Sequence, residues 1–218
     1  MPTSGSPRDA SELGRSARKR RAILEAGTTL FLRQGYRGTS MDEIAAVAGV
    51  SKQTVYKQFA DKERLFSEIV TSTVDEVAGP VHHEVLTLED SGDLDADLRR
   101  LARQLLRRVM QPRILQLRRL VIGEAGRFPE LGRTFYEQGP GRTIAALATA
   151  FERLTREGAL QAGDPQLAAA HFNWLIMSIP LNRAMLLGDD EPPAAVELDR
   201  YADAGVRAFL AAYRAERP

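Results

Sequence analysis

The chain has 218 residues, of which 44% are hydrophobic and 27% charged, so it can form one large domain or a small domain followed by a larger one. It contains no cysteine, which excludes disulfide bonds and thiolate metal sites, and no apolar run approaches the ~20 residues of a membrane-spanning helix. The formal net charge is +1, yet residues 1–60 hold ten Lys or Arg against five Asp or Glu, which favours a polyanionic partner for this end of the chain over chance clustering.

Residues 1–14 are rich in Ser, Gly and Pro and are predicted to be disordered. They lack the apolar run of a signal peptide, so a cytoplasmic protein with no membrane partner is expected. From about Ser16 the apolar residues form one helical stripe, which ends near Gly35. The basic residues at its start, Arg15 and 18–21, have two open interpretations: an arm that contacts phosphates or a minor groove, or a hydrated, frayed helix end.

Two short helices and one longer helix are predicted next. Ser40 and Glu43 have the spacing of a capping box, and Gly49 suits the left-handed residue that ends a helix. Ser51 can cap a second short helix that runs to about Phe59, and Asp61 can cap the longer helix. Two short helices joined by a turn of three to four residues that contains glycine indicate a helix-turn-helix.

The second short helix, within the stretch GVSKQTVYKQF, is polar except at Val50, Val55 and Phe59. These three residues are expected to anchor it, so its polar residues face outward, where a recognition helix presents them to a DNA groove. Lys can donate to guanine, Gln can bond adenine through two hydrogen bonds, and the Thr methyl can contact thymine. The candidate base-reading residues are Lys52, Gln53, Thr54 and Lys57. The alternative is that these side chains are only solvated surface.

Phosphate contacts need a different set of residues. Thr39 and Ser40 lie at a predicted helix N-terminus, where free N–H groups and the helix dipole favour an anion. The phenol of Tyr56 can reach a phosphate at the groove edge. Lys62 lies in the first turn of a helix, which is an unfavourable place for a cation unless a phosphate is beside it.

The rest of the chain is predicted to be helical. Leucines at helical spacing indicate a helix that begins at about Leu94, and Pro112 and Pro129 suit the first turns of the next two. A kink or break is predicted at Gly139–Gly141. Two long helices are predicted at about 165–187, kinked at Pro180, and at about 194–215, with DDEPP as the linker before the second. The predicted fold class is all-α: disordered 1–14, a three-helix helix-turn-helix head at 15–61, a connecting helix at 62–88 and a helical ligand-binding and dimerisation domain at 89–218.

Residues 16–70 resemble the DNA-binding head of the TetR family of bacterial transcriptional regulators. The resemblance rests on an ordered series: Gly35-Tyr36, Thr39-Ser40, Ile44-Ala45, Gly49-Val50-Ser51, Thr54-Val55-Tyr56, Phe59, Lys62-Glu63 and Leu65. It implies a double-stranded DNA operator as partner, and phosphate contacts for Thr39, Tyr56 and Lys62. Gln58 stands where the family more often has His or Tyr, and it is kept as a further candidate DNA-binding residue.

Residues Arg118 to Pro140, RRLVIGEAGRFPELGRTFYEQGP, resemble the ligand-binding domain of AefR-like members of that family. The resemblance implies a homodimer formed by the last two helices, with Trp174, Ile179, Leu198, Val206 and Phe209 as apolar residues there. A repressor released by a small-molecule effector is the hypothesis for the whole chain, and aromatic or soft side chains on the body helices favour a hydrophobic or aromatic effector. The candidate pocket residues are Tyr136, His171, Phe172, Trp174 and Met177. Core packing is the alternative role for each of them.

Other classes of protein are disfavoured by the motifs that the sequence lacks. It has no GxSxG, P-loop, HExxH or Gly-rich dinucleotide turn, so we expect no enzyme, no catalytic residues and no cofactor. The adjacent His82 and His83 would point about 100° apart on a helix, which disfavours a metal sensor. The remaining alternatives are an activator, a regulator controlled by a protein partner, and an architectural DNA-binding protein.

Overall fold

The computed structural model describes residues 7–88, 92–187 and 193–215. Within these ranges the chain forms ten α-helices and one π-helical turn, and the β pairing is confined to an isolated bridge between Leu160 and Arg214. In chain order the helices are α1 (Pro7–Gly38), α2 (Met41–Ala48), α3 (Lys52–Gln58), α4 (Lys62–Thr87), α5 (Leu94–Val109), α6 (Pro112–Ala125), α7 (Pro129–Tyr136), the π-helical turn (Glu137–Gly141), α8 (Arg142–Arg156), α9 (Pro165–Leu187) and α10 (Ala195–Tyr213). The predicted all-α fold class is confirmed.

The chain divides into two compact units, which we call the head unit (Met1–Ser72) and the body unit (Thr73–Pro218). The boundary falls within α4, whereas the sequence places domain boundaries at its two ends, near residues 61 and 88. Of the predicted DDEPP linker, only Pro193 is among the described residues.

The helix α1 differs from its prediction at both ends. Residues 7–14, expected to be disordered, are helical, while residues 1–6 lie outside the described residues. Pro suits a first helical turn, and Ala10, Glu12 and Leu13 are good helix formers, which outweighs the Ser, Gly and Pro content of this segment. Gly35 has φ 75° and ψ 170°, so regular helical geometry breaks where the sequence ends the helix, although one further turn follows to Gly38.

The core of the head unit is built around an aromatic cluster. The ring centroids of Phe31 and Phe66 are 5.0 Å apart, and Tyr36 lies 5.7 Å from Phe31 and 5.1 Å from Phe66. Ile23 from α1 and Ile44 from α2 are fully buried. This packing holds α1, α2 and α4 as the support on which α3 is presented.

The core of the body unit lies between α8, α9 and α10. Phe209 contacts the fully buried Phe151 and Phe172 at centroid distances of 5.0 and 5.2 Å. At Gly205 the helices α9 and α10 approach so closely that a Cβ atom would lie 3.1 Å from the backbone of Leu175. A Cβ atom at this position would require α9 and α10 to shift by a few tenths of an ångström.

Paired charges connect α5 to α10 at the surface of the same unit. The guanidinium of Arg103 donates two hydrogen bonds to Asp203 at 2.8 and 2.7 Å, and that of Arg107 donates two to Asp199 at 3.0 and 2.6 Å. The bonds from Arg103 lower the pKa of the Asp203 carboxyl, since they favour its charged form. Two-bond pairs of this kind fix the orientation of α5 on α10.

The predicted break at Gly139–Gly141 is a π-helical turn that joins α7 to α8 without a loop. Pro140 lies in this turn and has no N–H group to donate to the preceding turn, so the wider π turn accommodates it.

None of the described helices is long and apolar enough to cross a lipid bilayer.

Candidate nucleic-acid interface and a buried cavity

The turn between α2 and α3 has the geometry that the sequence predicts. The Ser40 hydroxyl accepts from the N–H of Glu43 at 3.2 Å, and the Glu43 carboxylate accepts from the N–H of Ser40 at 2.9 Å, which completes the capping box. Gly49 ends α2 at φ 65° and ψ 32°. The Ser51 hydroxyl then accepts from the N–H of Thr54 at 3.2 Å and starts α3. The helix-turn-helix is therefore confirmed.

The inner face of α3 is fixed to the head unit. Val55 and Phe59 are fully buried, and Val50 is half-buried. The guanidinium of Arg20 lies over the Phe59 ring, 4.5 Å from its centroid, and pairs with Glu68 of α4. The position of α3 is therefore determined by apolar burial and by one arginine of α1.

The outer face of α3 presents three side chains with no partner. Gln53, Tyr56 and Lys57 are exposed, and none forms a hydrogen bond or ion pair with any residue that the structure describes. Tyr56 is 51% exposed, which is unusual for a large aromatic side chain in a well-packed unit. These side chains are available to contact a polar surface.

Lys52 and Thr54 are also on α3 but are engaged within the head unit. The ammonium of Lys52 pairs with the exposed carboxylate of Asp42, and the Thr54 hydroxyl lies 2.9 Å from the Ser51 hydroxyl. An exposed ion pair is worth about 0–1 kcal/mol, so DNA can compete for Lys52. The structure therefore leaves both residues as base-reading candidates.

Thr39 and Lys62 have structural contacts that the sequence analysis missed. Thr39 is 2% exposed, and its hydroxyl donates to the carbonyl of Gly35 at 2.9 Å. The Lys62 ammonium donates to the carbonyls of Tyr36 and Thr39, both at 2.9 Å, and lies 4.4 Å from the centroid of the Tyr36 ring. The break at Gly35 exposes these carbonyls, and the two side chains close the end of α1 onto α2 and α4.

The N-terminus of α2 also differs from its prediction as an open anion site. The carboxylate of Glu43 already accepts hydrogen bonds from the N–H and the hydroxyl of Ser40, both at 2.9 Å. These bonds lower the pKa of the Glu43 carboxyl. A phosphate must therefore displace this carboxylate or bind beside it. In the structure, Ser40 serves as a helix cap.

Gln58, the remaining candidate, faces α1, where its amide donates to the Ser16 hydroxyl at 3.0 Å.

Two hollows flank the outer face of α3. The first hollow is lined by Arg15, Ser16, Lys19, Thr54, Lys57 and Gln58. The second hollow is lined by Arg37, Thr39, Ser40, Met41, Asp42, Tyr56, Asp61 and Lys62. The first contains three cationic side chains and no acid, whereas the second mixes two of each sign. The first hollow is therefore the more electropositive, and it brings the start of α1 beside the recognition helix.

The body unit contains a mainly apolar cavity with a volume of about 50 Å³. It is lined by Val74, Leu105, Val109, Ile114, Arg118, Phe135, Gly139, Pro140, Thr143, Asn173, Trp174, Met177 and Leu181. Trp174 and Met177, two of the five predicted pocket residues, are among them. Its hydrogen-bonding side chains are those of Arg118, Thr143 and Asn173 and the indole of Trp174.

The other three predicted pocket residues lie elsewhere. Phe172 is fully buried in the aromatic core, His171 lies 2.6 Å from the Tyr213 hydroxyl through its Nδ1 atom, and Tyr136 is 53% exposed. Helical spacing explains part of the error, since Phe172 points about 100° away from His171 and about 160° away from Trp174 around α9. Periodicity alone does not say which side faces a cavity.

Arg118 is not among the predicted pocket residues, although the sequence carries a signal for it. It lies four residues after Ile114 and three before Val121, on the inward stripe of α6, where a charged residue is unexpected.

No group of three or more His, Asp or Glu residues able to hold a metal is found among the described residues.

Comparison with known proteins gives matches over both units. A sequence model described as bacterial regulatory proteins of the tetR family matches residues 23–69. A second, described as the C-terminal domain of AefR-like transcriptional repressors, matches residues 96–215. The second match covers more than half of the chain.

Solved structures match over nearly the whole chain. A TetR-family transcriptional regulator from Mesorhizobium loti is 46% identical, with a TM-score of 0.86, over 92% of this chain and 98% of that one. The flavonoid-responsive regulator FrrA is 34% identical, with a TM-score of 0.71, over 91% of this chain and 98% of that one.

Matches to curated relatives are shorter. The transcriptional regulator YhgD of Bacillus subtilis is 44% identical over 27% of this chain and 31% of its own length. The transcriptional activator FasR of Mycolicibacterium smegmatis is 34% identical over 40% of this chain and 39% of its own length. The chain thus spans less than half the length of these relatives.

Proposed function

This chain belongs to the TetR family of bacterial regulatory proteins, and on that premise we propose that it acts in the cytoplasm as a homodimeric repressor of transcription. It binds a specific operator through the head unit and leaves it when a small molecule occupies the body-unit cavity. One observation carries the proposal: the anchored helix α3 presents Gln53, Tyr56 and Lys57 without partners. The family's regulators bind DNA, so this is the surface to which DNA contact is assigned.

The contacts divide between base edges and phosphates. Gln53, together with Lys52 and Thr54, faces the major groove and reads base edges, whereas Lys57, which lines the first hollow, contacts a phosphate. Tyr56 donates its phenol to a phosphate on the side of the second hollow, where Ser40 and Lys62 lie. Lys62 keeps one donor beyond the two that it uses for backbone carbonyls. Thr39 is buried and acts through the backbone that it holds in place.

The first hollow supports a phosphate-contacting role for the start of α1. Arg15 and Lys19 lie there beside Lys57, with no acidic side chain in the lining. Lys19 and Lys57 have no partner among the described residues, and cations that share one concave surface favour an anion there. A DNA phosphate is such an anion, which favours the arm over the frayed helix end.

A homodimer is supported by an apolar surface on the last two helices. The exposed large apolar residues of α9 and α10 are Leu167, Trp174, Leu175, Ile179, Leu186, Leu187 and Val196. A second copy would bury them, and two heads would then meet half-sites one helical turn, about 34–36 Å, apart. Leu198, Val206 and Phe209, which the sequence assigned to this interface, are already buried within one chain.

The choice of repressor over activator rests on the body unit. The family model that covers residues 96–215 describes repressors, whereas the activator FasR matches over only 40% of this chain. A small aromatic effector is supported by the apolar cavity and by the likeness to the flavonoid-responsive FrrA.

Release requires two states of the dimer with different affinities for operator. The effector binds the released state more tightly, so operator and effector weaken each other's binding by the same factor. The helix α4 runs from the head unit into the body unit and is the covalent element that can transmit the change.

The test of specific DNA binding is a titration by fluorescence anisotropy. Labelled duplexes from the region upstream of the protein's own gene are compared with base-shuffled duplexes of the same length. We expect a preference of at least about 10³ for one upstream duplex at physiological salt, as is typical of specific regulators. Equal affinity for all upstream and shuffled duplexes would contradict specific binding.

A further inference from the structure

A single guanidinium stands in the wall of the apolar cavity. Arg118 belongs to its lining, together with Phe135 and Trp174. Its Nε atom is buried without a hydrogen-bond partner, and no ion pair or hydrogen bond of Arg118 is found within the described residues. The guanidinium carbon lies 5.0 Å from the centroid of the Phe135 ring, which holds it at the cavity by a cation–π contact.

This lack of a partner contrasts with neighbouring arginines of the body unit. Arg103 and Arg107 each form a two-bond pair with an aspartate, and the guanidinium of Arg119 donates to the carbonyl of Ala184 at 2.6 Å. Burial lowers the pKa of the Arg118 guanidinium, and no nearby carboxylate offsets the effect. A cation in a mainly apolar wall with no carboxylate beside it is stabilised by an anionic partner, and a ligand can supply one.

The cavity offers one kind of surface to such a partner. Its lining contains no Asp or Glu, and most of it is aliphatic or aromatic. Asn173 and Thr143 also line it with neutral hydrogen-bonding side chains, and both are buried. An entering molecule therefore meets one cation and a few neutral polar groups in a wall that is otherwise apolar.

We propose that the cavity binds a small, mainly aromatic acid whose carboxylate accepts hydrogen bonds from Arg118, with Asn173 and Thr143 completing the polar contacts. This inference deepens the proposed function, because it assigns a chemical class to the effector. The apolar part of the acid packs against Trp174 and Phe135. A neutral analogue of the same shape leaves the cation unpaired and binds more weakly.

The cavity must expand to hold such a molecule. Its volume of about 50 Å³ is well below the roughly 300–1,000 Å³ of typical ligand sites. Val74 of α4 and Pro140 of the π-helical turn both line it. Expansion therefore moves at least one wall, and a wall formed by α4 belongs to the helix that leads to the head unit.

Trp174 provides the readout, since it is the only tryptophan of the chain and lines the cavity. Its fluorescence is followed, without DNA, during titration with benzoate, cinnamate and 2-naphthoate and with the amide of each. We expect the wild type to bind at least one acid about tenfold or more tightly than its amide. In the Arg118→Met variant the acid and the amide should bind equally.

Two controls keep the test interpretable. Arg133→Met removes an exposed arginine of α7 and should keep the preference for the acid. Arg118→Met should melt at or above the wild-type temperature, since it replaces an unpaired charge by an apolar side chain of similar length. No binding of any of the three acids, equal binding of acid and amide to the wild type, or an unchanged preference in Arg118→Met would each overturn the proposal.

The assay separates this inference from the proposed function. Because no DNA is present, binding of the acid is measured whether or not the head unit recognises an operator. If acids bind through Arg118 but leave operator affinity unchanged, the inference stands and release by an effector fails. If operator binding is specific but no acid is preferred, the inference fails and the DNA-binding function stands.

Discussion

Replacing Lys19 and Lys57 together by alanine is expected to lower operator affinity about a thousandfold at 100 mM salt. Both ammonium groups line the first hollow, and neither has a partner among the described residues. In a dimer the change removes four phosphate contacts. Each contact contributes about 0.9 to the slope of log affinity against log salt concentration. Four contacts therefore raise the affinity by about three to four orders of magnitude when the salt concentration falls from 1 M to 0.1 M.

The salt series identifies the cause of this loss. The slope for the double variant should be shallower by about four than that of the wild type, and affinity for shuffled DNA should fall by a similar factor. A double variant of the body unit, Arg133→Ala with Arg156→Ala, removes the same charge and should leave the slope unchanged. An unchanged slope in the lysine variant would remove the first hollow from the DNA interface.

Replacing Phe209 by alanine is expected to reduce the free energy of unfolding by about 3–5 kcal/mol. The ring is fully buried and contacts Phe151, Phe172 and Tyr213 at centroid distances of 5.0, 5.2 and 4.9 Å. Its removal leaves a cavity between α8, α9 and α10, which the close approach of α9 and α10 at Gly205 prevents from collapsing.

Urea denaturation followed by circular dichroism measures this effect at one fixed protein concentration, because dimer formation contributes to apparent stability. Tyr136→Ala is the matched control. It removes an aromatic ring that is 53% exposed and should change the unfolding free energy by no more than about 0.5 kcal/mol. A loss below about 1 kcal/mol for Phe209→Ala would mean that the aromatic cluster is not the centre of this core.

The helices of the head unit could be predicted from the sequence because the signals that begin and end them are local. A capping box, a left-handed glycine and a cap at Ser51 each act over three or four residues, and all three are observed. Side-chain roles were less predictable where they depend on distant groups. The contacts of Lys62 with the carbonyls of Tyr36 and Thr39 depend on the break at Gly35, which brings together residues more than twenty positions apart.

The cavity was harder to predict because it depends on how several helices pack. Trp174 and Met177 line the cavity, whereas Phe172, only two residues before Trp174, packs into the core. Aromatic content does not separate these roles. Arg118 carried a local signal, a charge on the inward stripe of α6, and that residue supplies the one cation in the lining of the cavity.

The most direct test of the account compares Tyr56→Ala with Tyr136→Ala in the operator titration. Both variants remove a half-exposed phenol, but only Tyr56 lies on the outer face of α3. A hydrogen bond to a charged group is worth about 1.5–3 kcal/mol, so losing one from each protomer should weaken operator binding about a hundredfold or more. We expect that loss for Tyr56→Ala, with unchanged stability, and wild-type affinity for Tyr136→Ala. Wild-type affinity in both variants would show that the outer face of α3 is not where this protein recognises DNA.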